Sequence, residues 1–181
     1  MLSNLRRWTR RSTASGVFAA LMLLVMTHTV SAQEQSSFLG DTFKKVILDP
    51  TTYAPAAIAY DATMRDWNSS QPFFRNGYVE HNDRFTLSGN PNDLPMSYTV
   101  GRQRILSDAI VNLEMSLANN VVDRIFERAL IKRYPEHRRL VGALGWVERI
   151  GFASIMSYEL SAQHYRQAAD NELKARQLGL R

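Results

Sequence analysis

An apolar repeat near the C-terminus constrains the fold of this chain more than any other feature. Apolar or small residues recur at every third or fourth position, which is the repeat of one face of an α-helix. The members of this stripe are Leu144, Val147, Gly151, Ile155, Tyr158, Ala162, Tyr165, Ala169 and Leu173. A second stripe precedes it, made of Leu106, Ile110, Leu113, Leu117, Val121 and Ile125. The sequence therefore predicts two long helices, each with one apolar seam buried against the rest of the protein.

The two helices are expected to meet at Tyr134-Pro135. A residue that precedes proline disfavours helical geometry, whereas proline itself suits the first position of a helix. We place the helices at residues 102–134 and 135–177, with the second ending before Gly179. So short a joint favours an antiparallel αα-hairpin.

The region before the hairpin is predicted to contain a shorter helix and an ordered loop. A helix over residues 51–67 is expected because a threonine can cap it and Pro55 falls in its first turn. Its seam is formed by Tyr53, Ala57, Tyr60, Met64 and Trp67. Residues 68–101 carry helix-breaking prolines and glycines, but also aromatic residues that need burial. The predicted fold class is an all-α helical bundle, built on the long hairpin and carrying an aromatic-rich irregular loop.

The charge of the chain is concentrated at its N-terminus. The chain has a net charge of +5, and four of its 22 basic residues, but none of its 17 acids, lie in the first 32 positions. The remaining residues are therefore close to neutral, and no nucleic-acid partner is expected.

The first 32 residues resemble a secretory signal. Arginines precede an apolar run from Val17 to Met26, and Val30-Ser31-Ala32 has small residues where a signal peptidase requires them. We expect cleavage after Ala32, leaving residues 33–181 as a single domain in the periplasm or outside the cell. The alternative is an uncleaved N-terminal membrane anchor, although the apolar run is shorter than the ~20 residues that a span needs. The chain has no cysteine, so disulfides and thiolate metal sites are excluded.

Charged residues in the last helix raise two further expectations. Glu148 borders the predicted seam and lies about one turn from Arg124 in a hairpin that folds at residue 134. An unpaired charge there would be costly, so we predict an ion pair between these two residues. The small residues within 140–160 suit close helix packing in a soluble bundle, and a helix on a membrane surface is the alternative.

One group of residues in the loop has the composition of a chemical site. Glu80, His81 and Asp83 combine an imidazole with carboxylates, which could bind a metal or transfer protons. The chain lacks the helical His and Glu spacings of metal-binding bundles, so a turn that satisfies backbone groups is the simpler interpretation. We therefore predict no catalytic residues, metal or cofactor. The candidate ligand-binding residues are Trp67, Phe73, Phe74, Glu80, His81 and Asp83.

Basic residues are concentrated around the predicted tip of the hairpin. They are Arg124, Arg128, Lys132, Arg133, Arg138 and Arg139. A solvated helix end is one interpretation, and contact with an envelope protein or with anionic lipid head groups is the other.

Three functions remain open from the sequence. The first is a non-enzymatic interaction or binding module of the periplasm or envelope. The second is a carrier of an apolar small molecule or lipid, in a pocket lined by Tyr60, Met64, Trp67, Phe73 and Phe74. The third is a hydrolytic or metal-dependent enzyme that uses Glu80, His81 and Asp83. An apolar cavity beside Trp67 would favour the carrier, and a cleft that holds all three polar side chains would favour the enzyme.

Overall fold

The computed structural model describes residues 32–180 of the chain. Four helices span Ala32–Ile47 (α1), Ala54–Arg75 (α2), Tyr98–Arg133 (α3) and Arg138–Leu178 (α4). The described part contains no β-strand and its two longest helices pack together, which confirms the all-α bundle. From Asp41 onward the chain forms one compact unit. The predicted signal lies outside the described residues apart from Ala32, so cleavage stays a prediction.

The joint of the hairpin lies where the sequence places it. α3 ends at Arg133, and Pro135–His137 forms a 3₁₀ turn that leads into α4. α4 ends at Leu178 and is capped by Gly179, whose φ of 67° belongs to the left-handed region that glycine adopts without strain. α3 begins four residues before the predicted start, because the Ser97 side chain accepts a hydrogen bond from the Val100 N–H.

α2 is longer than predicted. It continues to Arg75, past the expected end at Trp67, and includes Pro72 in its interior. Proline removes a helical hydrogen bond and usually ends a helix. Here the helix continues because Trp67 and Phe74, on either side of the proline, pack in the same core with ring centroids 5.5 Å apart. The irregular region therefore begins at Asn76 and not at residue 68.

The apolar core is small and lies around one indole ring. Trp67, Phe85, Met96 and Ile105 are buried together, and Tyr60, Met64 and Phe74 pack against them. Phe85 comes from the loop and stacks on Trp67 with a centroid distance of 5.2 Å. The loop is also tied by an antiparallel bridge between Glu80 and Asp93. Aromatic burial thus orders the loop, as the sequence predicts.

The predicted apolar seam of α4 is on the wrong face. Leu144, Val147, Ile155 and Tyr158 are exposed, and Val147 keeps 60% of its surface accessible. The residues of α4 that are buried are instead Gly145, Arg149, Ala153, Ser161, Ala168, Asn171 and Ala175. The helix itself is predicted correctly, but its small and polar face turns inward and its large apolar face turns outward.

α3 shows the same pattern over part of its length. Leu106 and Ile110 of the predicted seam are exposed, whereas Val121 is buried as expected. The buried residues of α3 are Gly101, Ile105, Asn112, Ser116, Asn120 and Val121. This inward face therefore combines a few apolar residues with several polar ones.

Hydrogen bonds between elements make the polar interior possible. The Asn120 amide donates to the hydroxyls of Thr52 and Thr51 at 2.7 and 2.9 Å. In α4, the Asn171 amide donates to Ser70 Oγ of α2 at 3.0 Å. Small side chains let the helices approach closely, and the amide N–H groups that find partners in this way offset part of the cost of desolvation, although Asn120 Oδ1 has no hydrogen-bond partner. The interior is thus held by polar contacts as well as by apolar packing.

Candidate functional site

The exposed face of α4 carries a long row of large apolar side chains. The outer apolar stripe, as we name it, consists of Leu140, Leu144, Val147, Ile155 and Tyr158. Trp146, which precedes Val147 and projects from the flank of α4, is also 59% exposed. Single exposed apolar residues are common on soluble proteins, but contiguous rows of them mark interaction surfaces.

The stripe is almost free of charge. Between Leu140 and Tyr158 the sequence contains only two charged residues, Glu148 and Arg149. Arg149 is 2% exposed and faces the interior, so Glu148 is the one charge on the outer surface of this segment.

A helix of this kind also meets the length and hydropathy that a membrane span requires. Within residues 32–180, Pro135–Leu178 is the one segment that does so. The core helix of a soluble protein can have the same length and hydropathy, but such a helix is mostly buried. In this segment, 17% of the apolar stretch is buried. The large apolar side chains of α4 therefore face outward.

Positive charge lies at the end of the hairpin from which the stripe begins. We name this set the basic tip; it consists of the exposed residues Arg128, Lys132, Arg133, Arg138 and Arg139. Glu136 is the one acid among residues 128–139. The tip also exposes apolar side chains, those of Phe126, Leu130 and Tyr134. The Arg133 guanidinium lies over the Tyr134 ring, 5.6 Å from its centroid.

Arg124, which the sequence groups with these residues, is turned away from the tip. Its side chain is 18% exposed and pairs with Asp49 at 3.0 Å and with Glu127 at 3.3 Å. It therefore belongs to a group of charged residues in the interior, which we name the buried ion cluster. The members of the cluster are Asp49, Asp123, Arg124, Glu127 and Arg149.

Arg149 is the centre of the buried ion cluster. Its Nη1 bonds Glu127 at 3.0 Å and also contacts Asp123, and its Nε lies 3.1 Å from Asp49 without hydrogen-bonding alignment. Three carboxylates face two guanidinium groups, so the cluster carries one net negative charge when all are ionised. It joins the end of α1, α3 and α4.

The two aspartates of the cluster respond to this environment in opposite ways. Burial alone would raise the pKa of Asp49, but hydrogen bonds from Thr51 and the charges of Arg149 and Arg124 together lower it below the usual value. Burial raises the pKa of Asp123, and the neighbouring charge of Arg149 only partly opposes this. Asp49 is therefore held as the anion that anchors both arginines.

The predicted ion pair between Glu148 and Arg124 is wrong. Glu148 is exposed, and its contact is with the Asn119 amide at 3.5 Å. The side chains of adjacent helix positions point about 100° apart. Because the predicted seam lies on the wrong face of α4, the prediction placed the inward charge at Glu148 instead of at Arg149. The sequence did contain evidence for the buried ion cluster. Asp123 and Glu127 share one face of α3, and two like charges so close together favour a neighbouring cation.

A second candidate site is a cleft beside Trp67. Side chains of α2, the loop and α4 line it: Thr63, Asp66, Trp67, Ser70, Glu80, His81, Asn82, Phe85, Gln163, His164 and Gln167. Among the sequence candidates, Trp67, Glu80 and His81 reach this cleft. Phe74 instead packs on Trp67, Phe73 packs edge-on against Tyr78, and Asp83 is not part of the lining.

The polar candidates in the cleft serve the local structure of the loop. Glu80 Oε1 accepts the Asn82 N–H at 2.7 Å, and His81 Nδ1 contacts the Asn92 side chain. A contact that the sequence analysis missed lies opposite them, where His164 Nδ1 is 2.7 Å from Asp66 Oδ2. Nearly a hundred residues separate these two, and no local pattern reports such a pair. Within residues 32–180, no group of three His, Cys, Asp or Glu side chains could hold a metal ion.

Comparison with known proteins gives no relative from which a role could be transferred. No family model, no curated protein and no solved structure matches this chain.

Proposed function

We propose that this chain is an exported, non-enzymatic interaction protein of the periplasm or cell envelope. Its working surface is the outer apolar stripe together with the basic tip. One observation carries the proposal: the most regular apolar repeat of the sequence lies outside, while a guanidinium, amides and hydroxyls lie inside. Burying apolar surface stabilises a protein by about 25 cal/mol per Å². A chain that works alone in water would gain by turning this face inward, so the exposed stripe indicates an external partner.

The other two functions receive less support from the geometry. A carrier of apolar molecules needs an apolar cavity beside Trp67, but the cleft there is lined by two carboxylates, two imidazoles and several amides. An enzyme built on Glu80, His81 and Asp83 needs these side chains in one cleft, and Asp83 does not line it. Export is proposed from the composition of the first 32 residues.

Cell fractionation tests the proposed surface. The full chain is produced in a bacterial host with two membranes, and its envelope and soluble fractions are separated. We expect the wild-type protein in the envelope fraction and a variant carrying Leu144→Gln, Val147→Gln and Ile155→Gln largely in the soluble periplasmic fraction. The three replaced residues are exposed, so the fold should tolerate the change.

A matched variant controls for general polarity. Val79→Gln, Leu87→Gln and Leu94→Gln alter exposed apolar residues of the loop and should leave the distribution unchanged. A wild-type protein found wholly in the soluble fraction would contradict the proposed working surface, as would an equal response of the two variants. The intact mass of the same sample reports export: a mass beginning at Gln33 supports cleavage, and one that includes residues 1–32 supports the uncleaved anchor.

A further inference from the structure

We infer that the outer apolar stripe and the basic tip together fit the surface of an anionic lipid bilayer. This inference rests on the proposed function, since it names the partner of the same surface. In the arrangement we envisage, α4 lies in the plane of the membrane surface, with its apolar side chains among the acyl chains and the arginines and lysine of the tip among the head groups.

The first argument is the mixture of charge and apolar surface at the tip. On the last turns of α3, exposed Phe126 and Leu130 lie on one side of the helix and exposed Arg128 and Lys132 on the other. A helix that binds at a membrane interface needs both an apolar face and a basic face, because apolar side chains enter the acyl region while cations meet phosphate groups. A purely apolar protein groove would offer no negative charge to the exposed cations of the tip.

The second argument is the extent and position of the stripe. It begins at Leu140, directly after Arg138 and Arg139, and reaches Tyr158. At about 1.5 Å per residue this apolar surface is about 27 Å long. Glu148 is the one exposed charge within it, and the charge of Arg149 is compensated inside the buried ion cluster. Trp146 precedes Val147 and projects about 100° from it, on the flank of α4, and tryptophan is enriched where acyl chains meet head groups.

The packing of α4 favours a helix on the surface over one that crosses the bilayer. α4 packs along α2, and Asn171 and His164 bond to α2 side chains. A transmembrane position would require this polar interface to open or to enter the hydrocarbon. A peripheral position leaves the bundle intact and covers only its outer face.

Charge also argues against a second copy of this chain as the occupant. Beyond Tyr158, α4 carries three acids and three bases: Glu159, Asp170, Glu172, Arg166, Lys174 and Arg176. In an antiparallel pairing of two α4 helices the basic tip would meet this neutral segment, and in a parallel pairing it would meet another basic tip. Neither arrangement supplies the negative charge that an anionic bilayer offers.

The experiment measures the binding of the purified full-length protein to vesicles by co-sedimentation. One set of vesicles contains phosphatidylglycerol and phosphatidylcholine in equal parts, and the other contains phosphatidylcholine alone. We expect at least about tenfold stronger partitioning to the anionic vesicles at low salt, with a decrease as salt rises. Arg138→Gln with Arg139→Gln should weaken this partitioning by about tenfold or more. The control pair, Lys174→Gln with Arg176→Gln, lies on the same helix outside the tip and should change it by less than about twofold.

Trp146 provides an independent readout of the stripe. Binding to the anionic vesicles should shift its fluorescence to shorter wavelength, and brominated acyl chains should quench it. Trp67 is buried in the core and should not respond. The protein used for this measurement carries Trp8→Phe, because Trp8 in the N-terminal segment is the third tryptophan of the chain. In that background the shift and the quenching should disappear in Trp146→Phe while binding persists. All variants share the same N-terminal segment, so differences between them report on the hairpin alone.

Three outcomes would overturn the lipid assignment: no binding to anionic vesicles at low salt, equal binding to both vesicle types, or equal binding by the tip variant and its control. If the stripe variant leaves the envelope fraction in cells while the purified wild-type protein ignores vesicles, the partner is an envelope protein or a second copy. The proposed function then stands and the lipid assignment falls. If the wild-type protein is soluble in cells, the proposed working surface and the lipid assignment both fall.

Discussion

Replacing Arg149 with alanine should lower the free energy of unfolding by about 3–5 kcal/mol. The side chain is 2% exposed and contacts Asp49, Asp123 and Glu127. Without it, three carboxylates share the single guanidinium of Arg124 in a poorly hydrated space. Urea denaturation followed by circular dichroism measures the loss.

The neighbouring residue supplies the control for this prediction. Glu148 is exposed on the same turn of α4, and Glu148→Ala should change the free energy of unfolding by no more than about 0.5 kcal/mol. Arg149→Lys should recover only part of the lost stability, because an ammonium cannot span three carboxylates as a planar guanidinium does. Equal effects of the Arg149 and Glu148 replacements would contradict the assignment of the inner face.

The same glycine-to-alanine change should have opposite signs at two positions. At Gly101 an added Cβ would overlap the indole ring of Trp67, which is buried in the core. We expect Gly101→Ala to cost about 1–3 kcal/mol of stability, as overpacking of a core usually does. At Gly151 an added Cβ would meet nothing within 4 Å, so the gain in helix propensity should stabilise the protein by up to about 1 kcal/mol.

Thermal unfolding of the two glycine variants checks this prediction directly. Gly101→Ala should unfold at a lower temperature than the wild-type protein and Gly151→Ala at a higher one. A stabilised Gly101 variant would mean that α3 and Trp67 do not approach as closely as described.

Local sequence patterns were sufficient to predict the helices but not to predict which face of each helix is buried. Tyr134-Pro135 located the joint of the hairpin, because steric restriction at a proline acts between neighbouring residues. The spacing of Leu144, Val147 and Gly151 predicted a helix, and so would that of Gly145, Arg149 and Ala153, since both recur at three or four positions. Periodicity identifies a helix, whereas the inward face depends on what the other helices offer. In this protein the other helices present carboxylates and hydroxyls to α4.

The candidate sites were predictable to different degrees. The basic tip is continuous in sequence, so its location could be predicted, with Arg124 as the one member drawn inward by Asp49. The buried ion cluster combines residues from three helices or their ends. The Asp123-Glu127 spacing was the only local sequence pattern that indicated it. The pair of Asp66 and His164 has no local signal, because it forms only when α4 packs on α2.

Cysteine accessibility tests most directly the claim that α4 turns its apolar face outward. The chain has no cysteine, so single replacements give one reporter each. In the purified protein without lipid, a thiol at Val147 or Leu144 should react with a maleimide reagent nearly as fast as a free thiol. A thiol at Ala153, which is buried, should react much more slowly until the protein is unfolded. Protection at position 147 together with rapid labelling at position 153 would contradict the account.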